Sequence, residues 1–309
     1  MLTCKEYAEQ KKQELKEYIS EKGLKPCLVV IQVGDRPESN SYIRGKVKDC
    51  EEVGIYCNVD KLDTTISQRE LEETIIDYNW DKDVHGIILQ LPVPDHIDVK
   101  RIQSLIDPKK DVDGFGILSP FNPCTPAGVI GYLKAIDYKF EGKDALVIGR
   151  SDIVGKPLAR MLTDLDCTVT LAHSKSRHIY ELASWPDIIF TCINKIEYFD
   201  NNIVNTNEGL SDIIDIGLGT GSDGKLHGNL KESTVKFIRE LHPESICISG
   251  TGGVGLLTCV TLLENVVKAC DMQAKTGFLS MLDNTLNDAG LQWEHEFLGK
   301  MFNVPNMKR

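Results

Sequence analysis

The 309-residue sequence lacks the features of several broad protein classes. No apolar run approaches the ~20 residues that a membrane-spanning helix needs. The ten cysteines form no CxxC pair, the start of the chain has no apolar signal core, and the seven histidines show no metal-ligand spacing. Low-complexity tracts and fixed-period repeats are also missing. We therefore expect a soluble globular protein in the cytoplasm, with reduced thiols and without a metal ion.

Positive charge is also in short supply. The chain has 35 Lys and Arg against 46 Asp and Glu, a net charge of -11. This balance disfavours non-specific binding to nucleic acid or to an anionic membrane, so small molecules are the expected partners. The length and a hydrophobic content of 41% allow two modest cores, and we predict two domains.

Short apolar runs alternate with helical spacing along most of the chain. This alternation predicts an α/β fold in which parallel sheets are flanked by helices. The expected strands are residues 27–33, 86–89, 145–148, 168–171, 188–191, 213–216 and 246–248. The expected helices are residues 6–20, 42–53, 70–78, 127–136, 154–163, 232–241 and 255–270.

Three prolines fall within residues 119–126, which suits a stiff crossing between domains. We place the boundary there. A catalytic domain then comprises residues 1–122, completed by a C-terminal helix and tail at 256–309, and a Rossmann-type domain comprises residues 123–255. The polar segment after residue 270 has no strand signal, and we expect it to return across the first domain.

The clearest ligand signal in the second domain is the sequence GRSDIVGKP at residues 149–157, between an expected strand and an expected helix. Such a turn suits a dinucleotide pyrophosphate, because glycines allow close backbone approach and the helix amides face the phosphates. Ser151 replaces the usual second glycine, so a plain strand-to-helix turn remains an alternative. About 20 residues further on, where NAD enzymes carry an acid for the ribose, the chain offers Ser174 and cations. With Arg150 in the turn, this predicts NADP.

Two other glycine-rich segments are weaker candidates. Residues 250–255 match GxGxxG, but no second strand follows them, so we interpret them as a loop through which the backbone approaches a ligand. Residues 219–226 have the frame of an NTP phosphate loop. Leu226, however, stands where Ser or Thr must hold magnesium, and the run is more typical of a hairpin turn.

Polar residues in the first domain also form a pattern. Tyr42 and Lys46 share one face of an expected helix, and a lysine in a cleft can act as a base near neutral pH. Gln90 ends an apolar strand, where a parallel sheet opens to its ligand crevice. Asp111 and Asp113 alternate on a segment expected to be extended, so their side chains should point the same way. Taken singly, each has a plainer explanation: a solvated lysine, a loop-capping amide and a charged turn.

Six motifs occur in a fixed order: SxxYxxxK at 39–46, QLPxP at 90–94, KDVDG at 110–114, PCTPxG at 123–128, GRSxIVGxP at 149–157 and GGVG at 252–255. Through them, roughly residues 26–268 resemble the bifunctional methylenetetrahydrofolate dehydrogenase/cyclohydrolase family. The resemblance implies a cytoplasmic homodimer whose catalytic and NADP-binding Rossmann domains enclose a folate cleft. It also implies two reactions, the oxidation of 5,10-methylenetetrahydrofolate with NADP and the hydrolysis of the resulting 5,10-methenyl form to 10-formyltetrahydrofolate.

The resemblance also assigns roles to residues. Asp113 would bind the pterin, Tyr42 would stack on the aminobenzoyl ring, and Lys46 with Gln90 would move protons during hydrolysis. The implied catalytic residues are Lys46, Gln90, Asp113 and Tyr42, and the implied substrate-binding residues are these four with Leu91, Gly252, Gly253 and Gly255. The implied cofactor-binding residues are Gly149, Arg150, Ser151, Gly155, Ser174 and Leu218. No metal is implied.

Several positions depart from the family pattern. Three prolines usual in the family are missing from residues 248–258, and with Gly250 this is expected to loosen a loop that closes over both ligands. Asn229 stands where Asp is usual, and Ser176 where Thr is common. Two alternatives therefore stay open: a dehydrogenase without cyclohydrolase activity, and a non-catalytic protein that binds folate and NADP. A short-chain dehydrogenase is rejected, because its Tyr-x-x-x-Lys pair follows the nucleotide loop, whereas Tyr42 precedes it.

Overall fold

A computed structural model describes residues 2–203 and 211–288, the side chains of Glu38 and 277–288 excepted. It shows a two-domain α/β fold with a three-stranded and a five-stranded sheet, both fully parallel. The predicted fold class is confirmed. No helix in the described part of the chain is long and apolar enough to cross a membrane.

The first sheet has the strand order β2-β1-β3. In chain order its elements are α1 (Cys4–Lys22), β1 (Cys27–Val33), α2 (Pro37–Val53), β2 (Tyr56–Leu62), α3 (Gln68–Trp80), β3 (Gly86–Gln90) and α4 (Val99–Leu105). β1 and β3 are almost wholly buried, as expected of apolar strands in a parallel sheet covered on both faces. β2 and α4 were not predicted from the sequence. β2 lies at the sheet edge, and its sequence YCNVDKL mixes polar and apolar residues.

Helix α2 begins five residues before its predicted start at residue 42, because Pro37 occupies the first turn, where no amide donor is needed. It ends at Gly54, whose φ of 91° is in the left-handed region that favours glycine. The amide of Gly54 donates to the carbonyl of Cys50 at 3.0 Å. Tyr42 and Lys46 are therefore both inside one capped helix, as the sequence predicts.

The second sheet has the order β10-β7-β6-β4-β5. In chain order its elements are α5 (Cys124–Ala135), β4 (Asp144–Ile148), α6 (Gly155–Thr163), β5 (Thr168–Ala172), α7 (Ile179–Leu182), β6 (Ile188–Thr191), β7 (Asp212–Asp215), the hairpin β8 (Leu218–Thr220) and β9 (Leu226–Gly228), α8 (Glu232–Leu241) and β10 (Cys247–Ile248). The direction of winding reverses between β4 and β6, and ligands of such sheets bind at this point. The predicted hairpin turn is confirmed, since β8 and β9 pair antiparallel.

Helix α9 (Val254–Asp288) joins the two halves of the molecule, packing against α1 and α2 as well as α5. A Cβ on Gly128 in α5 would lie 2.6 Å from the carbonyl oxygen of Leu257, so glycine is what allows α5 to approach α9. The sequence predicts that this helix ends at Cys270, which is wrong, because one helix continues to Asp288. The tail predicted to return across the first domain comprises residues 271–309. Residues 271–288 instead continue α9, and residues 289–309 lie outside the described residues.

Candidate active site

Helix α2 and strand β3 bring Lys46 and Gln90 together, 44 residues apart in sequence. The ammonium of Lys46 donates to Oε1 of Gln90 at 2.9 Å. Gln90 in turn donates its Nε2 to the carbonyl of Leu91, also at 2.9 Å, and this orients its oxygen toward the lysine. Both side chains are half-buried, at the carboxyl end of the first sheet. Tyr42, one helical turn before Lys46, is 55% exposed, so its ring is accessible to a ligand.

Asp113 is part of the same electrostatic environment. Burial raises the pKa of its carboxyl group to about 6, while the charge of Lys46 lowers this pKa and that of Asp111 raises it. Asp113 is thus within electrostatic range of Lys46. The structure brings together the amine, the amide and the carboxylate that the sequence singled out, all from different segments of the chain.

Asp111 has a different role from the predicted one. The segment is a turn, so the prediction that Asp111 and Asp113 alternate on an extended chain is wrong. The buried carboxylate of Asp111 accepts hydrogen bonds from the amides of residues 114, 115 and 116, at 3.2, 3.4 and 2.7 Å. Lys110 is also buried and donates to the carbonyl of Tyr78 at 2.9 Å, near the end of α3. These two charged residues of the KDVDG motif hold the loop that carries Asp113.

The carbonyl of Val112, the residue before Asp113, accepts hydrogen bonds from two buried side chains. Nδ2 of Asn265 in α9 donates to it at 2.9 Å, and Sγ of Cys124 at the start of α5 donates to it at 3.3 Å. All three residues are buried. Sequence reasoning missed Asn265, whose only signal is a single amide within the apolar stretch of α9.

The nucleotide turn is shaped by two glycines at the reversal point between β4 and β6. Gly149 has a φ of 134°, and a Cβ there would lie 2.3 Å from the carbonyl oxygen of Cys192. A Cβ on Gly155 would lie 2.0 Å from the carbonyl oxygen of Gly149. Both positions therefore need glycine, as a tight turn that packs a helix against a strand requires.

Ser151, at the position of the missing glycine, caps the start of α6 with its side chain. Its hydroxyl accepts hydrogen bonds from the amides of Val154 and Gly155 at 3.2 and 3.3 Å. The serine thus satisfies two amides at the start of α6. Its own contact with a cofactor phosphate stays a prediction.

Arg150 and Ser174 occupy equivalent positions on the loops that follow the neighbouring strands β4 and β5. The strand register pairs Ile148 with Ala172, so each of the two residues comes two positions after its strand ends. Both side chains are exposed. A guanidinium and a hydroxyl at one open edge are suitable donors for a phosphate group. Leu218, half-buried, begins β8 just after β7.

The glycine loop before α9 is more tightly packed than expected. Gly250 is buried, and a Cβ there would lie 2.7 Å from both the carbonyl oxygen of Gly217 and the Cα of Gly228. The expectation that Gly250 loosens this loop is therefore corrected, because the residue is needed for close contact. Gly253 has a φ of 126°, in the region that favours glycine. Gly252 and Gly255 are exposed.

Asn229 has a structural reason for being an amide. Its Oδ1 accepts from the amide of Ile193 at 3.0 Å, and its Nδ2 donates to the carbonyls of Ile193 and Lys195 at 2.8 and 2.7 Å. A carboxylate at this position has no proton to donate when ionised. The residue therefore fixes the loop that follows β6, beside the nucleotide turn.

Two further findings concern cysteine and metals. All ten cysteines are free thiols. Within residues 2–203 and 211–288, no group of three or more His, Cys, Asp or Glu side chains is arranged to hold a metal ion.

A glycine turn at the reversal point of a parallel sheet defines the second domain as one that binds a dinucleotide. Comparison with known families agrees. Residues 2–113 match the catalytic domain of tetrahydrofolate dehydrogenase/cyclohydrolase, and residues 123–274 match the NAD(P)-binding domain of the same enzymes. The chain belongs to the tetrahydrofolate dehydrogenase/cyclohydrolase family.

Individual relatives cover almost the whole chain. The bifunctional protein FolD of Oceanobacillus iheyensis is 38% identical over 281 residues, which cover 87% of this chain and 96% of that protein. The crystal structure of the FolD methylenetetrahydrofolate dehydrogenase/cyclohydrolase of Campylobacter jejuni has a TM-score of 0.81 at 37% identity, covering 88% of this chain and 98% of that one. The Trypanosoma brucei enzyme, complexed with NADP and an inhibitor, has a TM-score of 0.78 at 26% identity, covering 89% and 98%.

Proposed function

We propose that the protein oxidises 5,10-methylenetetrahydrofolate to the 5,10-methenyl form with NADP, and hydrolyses this product to 10-formyltetrahydrofolate. Family membership supports both activities. The observation that carries the assignment of residues is the 2.9 Å hydrogen bond from Lys46 to Gln90, in the electrostatic range of Asp113. This hydrogen bond supports the proposal that a base, its partner and an anchor for the substrate act together.

Asp113 anchors the folate. Its carboxylate accepts hydrogen bonds from the ring NH and the exocyclic amine of the pterin, which a carboxylate does well. With a pKa of about 6, this group is mostly ionised at neutral pH. The exposed ring of Tyr42 stacks on the aminobenzoyl group. Leu91, with Gly252, Gly253 and Gly255, borders the remainder of the folate.

The first reaction needs geometry more than acid or base, because NADP itself supplies the hydride-accepting chemistry. The protein contributes the tight turn at Gly149 and Gly155, which lets the backbone approach the pyrophosphate. Arg150 and Ser174 bind the 2′-phosphate, with Ser151 and Leu218 as further cofactor contacts. The related Trypanosoma brucei enzyme is complexed with NADP in its crystal structure, which supports this choice of cofactor.

The second reaction uses Lys46, which moves protons in this step. Once the ammonium has given up its proton, the amine takes a proton from a water molecule as the water oxygen attacks the methenyl carbon. Cleavage of the bond between this carbon and N5, with protonation of N5, then leaves the formyl group on N10. Gln90 fixes the lysine through its carbonyl oxygen and so sets the direction from which the proton is taken.

The proposed assembly is a cytoplasmic homodimer without a metal, nucleic-acid or membrane partner. We place the domain boundary between residues 122 and 123, with residues 256–309 completing the first domain. The packing of α9 against α1 and α2 supports this division.

Absorbance of the purified protein with methylenetetrahydrofolate and either NADP or NAD tests the proposal. Formation of methenyltetrahydrofolate reports the first reaction, and its decay above the uncatalysed rate reports the second. We expect both with NADP. Formation without catalysed decay would favour the dehydrogenase that lacks cyclohydrolase activity. Folate and NADP binding without turnover would contradict the proposal in favour of a non-catalytic protein.

A further inference from the structure

A buried amide lies behind the folate anchor. Asn265 in α9 is 5% exposed, and its Nδ2 donates to the carbonyl of Val112 at 2.9 Å and contacts Sγ of Cys124 at 3.6 Å. Cys124 is 4% exposed and donates to the same carbonyl at 3.3 Å. One carbonyl oxygen thus receives two donors from two different helices, which uses both of its lone pairs.

The carbonyl belongs to the peptide unit that leads into Asp113. On its other side, the carboxylate of Asp111 accepts from the amides of residues 114–116. Gly114 has a φ of 73°, and a Cβ there would lie 2.6 Å from the carbonyl group of Asn122. The backbone around Asp113 is therefore held on both sides, and the Val112 carbonyl is held by a side chain from a distant helix.

Asn265 also lies on the helix that follows the glycine loop. Helix α9 starts at Val254, two residues after the exposed Gly252, and reaches Asn265 about three turns later. The same rigid helix thus carries the glycine loop at its beginning and holds the Asp113 loop further along. Cys124 opens α5, the first helix of the second domain.

We infer that Asn265 is a positioning residue for the folate: its amide fixes the Val112 carbonyl and thereby the direction of the Asp113 carboxylate relative to the glycine loop. The inference rests on the proposed role of Asp113. Without the amide, a buried carbonyl loses its stronger donor, and Asp113 is no longer held in the orientation that the pterin requires. Substrate affinity should then fall, while the chemistry of bound substrate and the affinity for NADP should not.

The test uses the full chain with Asn265→Leu, which keeps the number of side-chain heavy atoms and removes the donor, and Asn265→Asp, which keeps the planar shape and replaces the amide by a carboxylate. We expect the KM for methylenetetrahydrofolate to rise about tenfold in Asn265→Leu, the size expected for one lost buried hydrogen bond, and by at least as much in Asn265→Asp. The kcat of each reaction and the KM for NADP should stay within about twofold of the unsubstituted protein.

Thr261→Val is the matched control. Thr261 is buried one turn earlier on α9, and its hydroxyl donates within the helix to the carbonyl of Leu257 at 2.9 Å. This variant should leave both KM values unchanged. Cys124→Ala should raise the folate KM by less than Asn265→Leu. The double variant should raise it by more than the product of the two, because each single variant leaves one donor on the shared carbonyl oxygen and the double variant leaves none.

An unchanged folate KM in Asn265→Leu, or equal changes in kcat and both KM values, would overturn the inference. If Asn265→Leu does not fold, Asn265→Asp and Cys124→Ala must show the same selective rise in folate KM, or the inference fails. Equilibrium binding of tetrahydrofolate separates this question from the proposed function. An unsubstituted protein without turnover would end the proposed function, and undiminished folate binding in the Asn265 variants would end the inference.

Discussion

The two proposed ligand sites are constructed differently. On the proposed folate side, the candidate side chains come from distant segments and other side chains hold them in place. Lys46 contacts Gln90, 44 residues away, and Asn265 holds the Val112 carbonyl, 153 residues away. On the nucleotide side, glycine backbone sets the shape, and the charged and hydroxyl groups lie exposed on loops. Substitutions should therefore change chemistry in one pocket and shape or cofactor choice in the other.

The largest effect should come from removing the base. In Lys46→Met we expect hydrolysis of the methenyl form to fall by roughly 10²–10⁴-fold, the usual contribution of a general base. Hydride transfer should fall by less than about tenfold, because the cofactor supplies that chemistry. Rates of methenyl formation and decay measure both. Lys48→Met, an exposed lysine on the same helix, is the control, and equal losses in both reactions would contradict the assigned role.

Shape on the nucleotide side is tested at Gly149. In Gly149→Ala the added Cβ would lie 2.3 Å from the carbonyl oxygen of Cys192, at a φ of 134°, so the turn must open. We expect the KM for NADP to rise roughly a hundredfold, about 2.7 kcal/mol, with folate binding retained. Gly142→Ala is the control, since its φ is 75° but no atom lies within 4 Å of the added Cβ. An equal loss of folate affinity in Gly149→Ala would show that the pockets are not separate.

Features of the fold and of the candidate site could be predicted from the sequence where they depend on residues that are close together in the chain. Apolar runs such as residues 27–33 were predicted as strands because burial on both faces leaves a local signal. The place of Gln90 followed from the rule that parallel strands end at the ligand crevice. The edge strand β2 escaped prediction because its polar residues face solvent or a neighbour, with no regular alternation.

The rest could not follow from local patterns. Which carboxylate of the KDVDG motif accepts from the loop amides depends on a turn, and a turn can reverse the direction that alternate residues share in a strand. The contact of Asn265 with Val112 joins segments whose spacing carries no sequence signal. Gly250 suggested flexibility because glycine is permissive, but its packing against Gly217 and Gly228 depends on the tertiary fold.

The change in cofactor preference on substitution of Arg150 should be smaller than the loss of hydrolysis in Lys46→Met and the rise in the KM for NADP in Gly149→Ala. In Arg150→Ala we expect the KM for NADP to rise about tenfold, because one charge-assisted hydrogen bond to the 2′-phosphate is lost at an exposed position. The KM for NAD, which has no such phosphate, should hardly change. Initial rates with each cofactor measure the difference. A similar rise for both would remove the 2′-phosphate contact from the proposal.

The smallest expected effect is the pH dependence of folate binding. It reports the charge of the Asp113 side chain and not the shape of the backbone. The pKa of Asp113 is raised to about 6, so its ionised fraction falls by up to about tenfold for each pH unit below that value. The dissociation constant of tetrahydrofolate, measured without NADP, should be flat above pH 7 and rise as pH falls below 6. Asp113→Asn should bind weakly at every pH, without this inflection.

The same pKa has the opposite consequence for stability. Because the folded state holds the proton more tightly than the unfolded chain does, the contribution of Asp113 to folding is most favourable at low pH and is lost as pH rises from about 4 to about 6. Without ligand, Asp113→Asn should therefore melt at a higher temperature than the unsubstituted protein at pH 7, with a smaller difference at pH 4. A lower melting temperature at pH 7 would mean that the carboxylate stabilises the fold and is not held ionised at a cost for the sake of binding.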